Sequence, residues 1–284
     1  MYKRSEGHFK GSGDANLYYQ NWQTDNALAT LVMTHGMAEH SEAYELLAAG
    51  VLPNKINLSV WDLRGHGKSD GKRGYVGNFT DYVHDLDFFF KHLRSQQRLN
   101  QPFFIGGHSL GGLIVLRYLL EYGPGQATGI CLSSPLLGIA IPVPPVKDYA
   151  SHLLHRFLPK VTLNNEIKFE LLSRDEGVVK SYYSDPYRHN KISSGVYIGM
   201  LESMEIVKAR AGNQIQLPTL MQVAGTDYIV SRKASEDFFQ TISSENKELI
   251  VYEDAYHEIF NDLGREKVFE DLCKFILKTL GKAR

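Results

Sequence analysis

Three residues far apart in the chain, Ser109, Asp227 and His257, could together perform nucleophilic acyl transfer. A serine hydroxyl is a weak nucleophile, so it needs an imidazole to take its proton and a carboxylate to orient that imidazole. Ser109 lies in Gly107-His108-Ser109-Leu110-Gly111, a G-x-S-x-G pattern inside "FFIGGHSLGGLIVLRYLL". Gly106, Gly107, Gly111 and Gly112 interrupt two apolar runs there. Glycine in a regular element costs about 0.5–1 kcal/mol relative to alanine, so the cluster needs a geometric reason. A sharp strand-to-helix turn is one: the serine takes strained dihedrals, and its neighbours two residues away have no room for a β-carbon. Ser109 is then lifted to the C-terminal edge of a sheet, with a helix N-terminus beside its Oγ.

The partners of such a serine follow in the order acid, then histidine, on loops at the same sheet edge. Asp227 closes "TLMQVAGTD" and His257 follows "ELIVYEDAY", so both come directly after apolar runs. Asp254, three residues from His257, is badly placed to reach back to its ring and is read as shaping the turn. Asp62 in "DLRGHG" is read as a loop anchor, His35 and His66 as structural, and His108 as a packing residue that points away from Ser109. The oxyanion formed at a carbonyl needs preorganised N–H donors. Leu110, just after the serine, provides one. Met37, in "MTHGMAEHSE" after an early apolar run, is positioned to provide the other, because Gly36 allows a close backbone approach.

These loops need elements to hold them. "EGHFKG" and "NLYYQNWQ" alternate around a turn and predict a hairpin. After them, "ALATLVMT", "INLSVW", "PFFIGGHS", "ATGICLSSP", "LPTLMQVA" and "KELIVY" predict strands, interleaved with helical periods. Thr80 is the expected N-cap of the helix in "FTDYVHDLDFFFKHLRSQ". Strands apolar on both faces that alternate with helices predict an α/β fold, a mostly parallel sheet covered on both sides. The pattern lapses between residues 139 and 216, where a proline-rich linker and several helices, but no convincing strand, are expected. The expected organisation is therefore a core of residues 1–138 and 217–284 with a helical insertion at 139–216.

Composition narrows the function. The 284 residues, 43% apolar and 22% charged, make an ordinary globular chain, and a formal net charge of -1 with no basic run excludes a nucleic-acid partner. No zinc, H-E-x-x-H or nucleotide-loop motif is present, and the chemistry above needs no cofactor. Cys131 and Cys273 are far apart in apolar surroundings and read as buried thiols of a reducing compartment more than as a disulfide framework, with a single bridge left open by the sequence. The start "MYKRSEGHFKGSGD" has no apolar leader, which points to a cytoplasmic location. The uncharged stretch from Ala127 to Val146 is long enough to span a membrane, but Pro135, Pro142, Pro144 and Pro145 break it.

In "HGMAEHSEAY", "DLRGHGKSDGKRGYVGNFTDYVHDL", "GHSLGG", "AGTDYIV" and "YHEIFND" the chain resembles the α/β-hydrolase superfamily, in its monoacylglycerol lipase and lysophospholipase branch. The resemblance implies hydrolysis of a carboxylic ester by Ser109, His257 and Asp227, with the Met37 and Leu110 N–H groups as oxyanion hole. It also implies that the inserted helices form a cap housing an acyl-chain tunnel. The expected substrate is a small acyl ester of the single-chain lipid class, monoacylglycerol or lysophospholipid.

Within "VKDYASHLLHRFLPK", Tyr149, Leu153, Leu154, Phe157 and Leu158 fall near one helical face, flanked by Lys147, Arg156 and Lys160. That face could dip transiently into a membrane or micelle, or pack within the cap. Three other readings stay open on the sequence. The same residues could form a short-chain carboxylesterase. They could form a proline iminopeptidase holding an α-ammonium with Glu166, Glu170, Glu202 or Glu205. A non-catalytic protein could also use the scaffold to bind a small apolar ligand.

Overall fold

In the computed structural model, which describes residues 2–141 and 144–281, each apolar run predicted as a strand is one. The hairpin β1 (Lys3–Lys10) and β2 (Asn16–Gln23) opens the chain, followed by β3 (Ala29–Thr34), α1 (Glu45–Val51) and β4 (Ile56–Trp61). Next come α2 (Thr80–Ser95), β5 (Phe103–His108), α3 (Leu110–Tyr122) and β6 (Gly129–Ser133). Residues between β6 and the next sheet strand form α4 (Pro145–Phe157), β7 (Thr162–Asn164), α5 (Glu176–Ser184), β8 (Lys191–Ser193) and α6 (Ser194–Arg210). The chain closes with β9 (Thr219–Ala224), α7 (Arg232–Thr241), β10 (Lys247–Tyr252) and α8 (Arg265–Thr279).

The main sheet has the order β1-β2-β4-β3-β5-β6-β9-β10. From β4 to β10 every neighbour pairs in parallel; only β1–β2 and β2–β4 are antiparallel. Strands β3, β4, β5, β6 and β9 are buried along their whole length because helices cover both faces. Their side chains alternate between two cores. Leu31, Met33 and Phe104 join Leu47, Val51, Leu272 and Phe275 of α1 and α8. Val32, Phe103 and Ile105 join Leu86, Phe89 and Leu113 of α2 and α3 on the other face. The connections reverse direction at β3: β4 lies on one side of it and β5 on the other. Such a switch opens a crevice beyond the C-terminal strand ends, the place where ligands bind in sheets of this kind.

Two expectations need correction. Thr80 is the first residue of α2, not its cap. The side chain of Asn78 takes over, its Oδ1 accepting from Thr80 N–H at 3.0 Å and Thr80 Oγ1 at 2.9 Å. The stretch 139–216 also contains strands: β7 and β8 pair antiparallel, three residues each. Three residues are too few to show a period of two, and the pairing is fixed from outside. Ser193 N–H donates to Gly74 O at 2.7 Å, and a β-carbon on Gly74 would collide with the backbone of Lys191.

Cys131 and Cys273 are free and buried. Among the described residues no helix is long and apolar enough to cross a membrane. The Ala127–Val146 stretch instead divides into the buried strand β6 and the start of α4, where Pro145 occupies the first turn and its missing N–H costs nothing. Pro142 and the side chain of Lys147 lie outside the described residues.

Candidate active site

The crevice at the β3/β5 switch is where Ser109 stands. Its φ is 52° and its ψ -120°, a conformation that L-residues other than glycine rarely adopt. The flanking glycines make the turn possible. A β-carbon on Gly107 would lie 2.5 Å from the Gly111 carbonyl oxygen, and one on Gly111 would collide with the Thr34 carbonyl oxygen at the end of β3. The Ser109 carbonyl accepts from Gly112, Leu113 and Leu136 N–H groups, which pins the turn from both α3 and the loop after β6. Leu110 is the first residue of α3, so its N–H stands at the positive end of the helix.

Opposite the serine runs the loop after β3. A β-carbon on Gly36 would sit 3.1 Å from the Ser109 β-carbon, so any larger residue there would press on the serine. Met37 follows it and lines the same cavity as Ser109. His35, read as structural, is that: its Nδ1 faces Gly36 O at 2.7 Å and its Nε2 accepts from Leu63 N–H at 2.9 Å. Burial pushes its pKa down to about 3, so it stays neutral. Asp62 anchors the next loop by accepting from Ser41 and Lys68 N–H groups at 2.7 Å each.

Asp227 and His257 meet across the ends of β9 and β10. Asp227 Oδ1 accepts from Ile229 and Val230 N–H at 2.8 and 2.9 Å, which leaves Oδ2 for His257 Nδ1 at 2.8 Å. Because a carboxylate accepts, the proton lies on Nδ1 and Nε2 is free to act as a base. Burial disfavours both charges, but their mutual attraction outweighs it. The Asp227 pKa is lowered and the His257 pKa raised above 6.5. His257 and Ser109 line one cavity. Asp254 is exposed in the turn before His257.

His108 is buried, as a packing residue should be, yet it faces the site. Its ring lies 4.8 Å from the His257 ring and lines the cavity, while its Nδ1 is 3.1 Å from Ser133 O and Oγ.

Two lobes open from Ser109. One, about 140 Å³, is apolar, with Leu136, Ile139, Ile141, Ile192, Met200 and Ile229 along it. The other, about 30 Å³, is walled in part by Phe169 and Leu172 and is the polar lobe by virtue of Glu39, Arg188, His189 and Glu258 around it. Met37, Asn165 and Ile167 border both. The polar residues were not expected from the sequence. Glu39 sits two residues after Met37 and Glu258 directly after His257, so proximity to the expected site was their one signal. No metal-ligating group of three or more His, Cys, Asp or Glu side chains exists among the described residues.

This fold and this site have known counterparts. The family model described as serine aminopeptidase S33, Hydrolase_4, matches residues 25–264. The chain belongs to that family of α/β-hydrolases. It falls in the monoacylglycerol-lipase-like branch and is a serine ester hydrolase. Human monoglyceride lipase is 30% identical over 279 residues, covering 95% of this chain and 89% of that protein. Phospholipase YtpA of Bacillus subtilis is 29% identical, covering 88% of this hydrolase and 95% of its relative. An uncharacterized abhydrolase domain-containing protein of Dictyostelium discoideum is 33% identical over 90% of this chain, which spans 27% of that longer protein. Among solved structures, the monoacylglycerol lipase of Paleococcus ferrophilus aligns with a TM-score of 0.80 at 28% identity, covering 98% of this hydrolase and 99% of that chain.

Proposed function

We propose that this hydrolase cleaves the ester bond of single-chain lipids through an acyl-enzyme on Ser109. The observation that carries the reading is the position of Ser109 at the mouth of one apolar and one polar lobe, facing the cavity that His257 lines. In that geometry His257 Nε2 takes the Ser109 proton as Oγ attacks the carbonyl carbon. Asp227 holds the imidazole and stabilises the imidazolium. The Met37 and Leu110 N–H groups receive the developing oxyanion. His257 then protonates the leaving alcohol, and water enters by the reverse route. The apolar lobe suits an acyl chain and the polar lobe an alcohol head group. Relatives named monoglyceride lipase and phospholipase support lipid esters as the class.

An aminopeptidase would need an unmatched carboxylate for the substrate ammonium. Glu170, Glu202 and Glu205 are exposed and line neither lobe, and Glu166 borders the apolar lobe from an exposed position. The buried Glu39 and Glu258 share the one Arg188 cation and already accept hydrogen bonds from Gly36, Tyr44, Tyr182 and Asn261. Turnover of monoacylglycerols and lysophosphatidylcholine, side by side with short nitrophenyl esters and a proline nitroanilide, tests the class. Serine-dependent cleavage of the lipids is expected, and cleavage confined to the short esters or the anilide would overturn it.

Residues 139–216 act in this reading as a cap over the crevice, and α4 as its contact with lipid. Val146, Tyr149, Leu153 and Phe157 recur at helical spacing and are 74, 72, 52 and 65% exposed. Arg156 and Lys160 beside them are exposed as well. An uncovered apolar stripe with basic neighbours suits the surface of a bilayer or micelle. Replacing Leu153 and Phe157 with serine should abolish vesicle co-sedimentation and lower turnover of micellar lipid, with soluble ester hydrolysis retained. Unchanged sedimentation would remove α4 from this role.

A further inference from the structure

One guanidinium ties the two loops of the site together. Arg188 Nη1 and Nη2 donate to Glu258 Oε1 and Oε2, each at 2.9 Å, and Nη2 lies 3.8 Å from Glu39 Oε2. Its charged end stacks 3.6 Å above the Tyr182 ring. Tyr182 OH and Asn261 Nδ2 also donate to Glu258, at 2.5 and 3.0 Å. All three charged side chains are buried. Glu258 adjoins His257, and its own N–H donates to Leu172 O at 2.9 Å. Glu39 Oε1 accepts from Gly36 N–H at 2.5 Å and from Tyr44 OH at 3.0 Å, so it fixes the backbone that leads into Met37.

We propose that Arg188 is a positioning residue for the reaction, a clamp from the segment between α5 and β8 that sets the oxyanion loop against the histidine loop. The inference rests on the roles proposed above for Ser109, Met37 and His257. Two carboxylates facing each other in a buried site repel, and without the cation between them one loop must move or one acid must take a proton. The charge pattern agrees with that. Burial and the Glu258 charge push Glu39 up to about 7, whereas the Arg188 charge overcomes burial and holds Glu258 at about 2. A lysine would keep the charge but lose the planar fork that grips both oxygens of Glu258.

Arg188→Lys tests this, with active sites counted by a fluorophosphonate probe so that unfolded protein does not enter kcat. Wild-type protein is measured alongside on a short nitrophenyl ester and on a monoacylglycerol. The expected result is a kcat at least about tenfold lower on both substrates, with KM unchanged, because displaced groups act on the transition state and not on binding. Wild-type kcat in Arg188→Lys overturns the proposal. So does a rise in KM for the monoacylglycerol alone, which would make the buried Arg188 Nε, without a hydrogen-bond partner among the described residues, a head-group contact. If Arg188→Lys does not fold, Glu39→Gln measured at pH 8.5, where Glu39 is ionised and the substitution removes its charge, carries the same expectation from the other end, and its wild-type kcat there overturns the clamp. A wild-type protein that neither labels nor turns over ester refutes the reading of Ser109 instead.

Discussion

At the residue scale the proposed mechanism rests on one proton at His257. The Asp227 carboxylate raises its pKa above 6.5 despite burial, and only the neutral imidazole can act as base. Activity should therefore fall as pH drops through a value above 6.5 and level off on the alkaline side. A kcat/KM profile flat from pH 5 to 8 would contradict the assignment. Asp227→Asn should lower kcat by about 10³–10⁴-fold with KM little changed, because the amide favours the wrong imidazole tautomer. Ser109, Asp227 and His257 were legible because each sits on a loop directly after an apolar run. Glu39, Arg188 and Glu258 were not. Charged residues are exposed by default, and what buries these three is a contact between residues 39, 188 and 258 that no local pattern encodes. His108 was half legible: its burial followed from the turn, its contact with the His257 ring did not.

At the scale of elements, the turn from β5 to α3 is tightly constrained by its glycines. Gly111→Ala would press a methyl group into the Thr34 carbonyl. It should destabilise the protein by about 1–3 kcal/mol and reduce activity further than the lost stability explains, since Ser109 must move with the turn. Thermal melts and turnover of the folded fraction check both parts. Strands β3, β4, β5, β6 and β9 were readable because burial on both faces writes a largely apolar run, and β1 and β2 because they alternate. The short β7–β8 pair escaped because its register depends on Gly74, over eighty residues before β7 in the chain. The α2 cap was misplaced because both Asn78 and Thr80 have capping side chains: the cap position is Phe79, and the side chain that accepts at the helix start is Asn78.

For the whole molecule, several buried histidines make acid the weak direction. His35 and His108 are pushed down to about 3, His189 to about 4, and His66 well below 6.5, in each case first by burial. The unfolded chain binds protons at these sites near pH 6.5 and the folded protein does not, so stability falls as pH drops below that value. By pH 5 each fully buried histidine removes about 2 kcal/mol. Glu39, raised to about 7, works in the opposite direction and offsets roughly one of them. Denaturant midpoints measured between pH 7.5 and 5 should decrease steeply below 6.5, and a midpoint that rises or stays constant would show that these rings do not remain neutral in the folded state.

The central claim is that Ser109 is the nucleophile of an ester hydrolase. The direct measurement is intact-mass analysis of wild type and Ser109→Ala after a fluorophosphonate probe, with monoacylglycerol turnover followed in the same preparations. A single adduct that maps to Ser109 and vanishes in the variant, with turnover reduced by at least about 10³-fold, is expected. An adduct on another residue, or a folded Ser109→Ala protein that still hydrolyses the lipid, would contradict it.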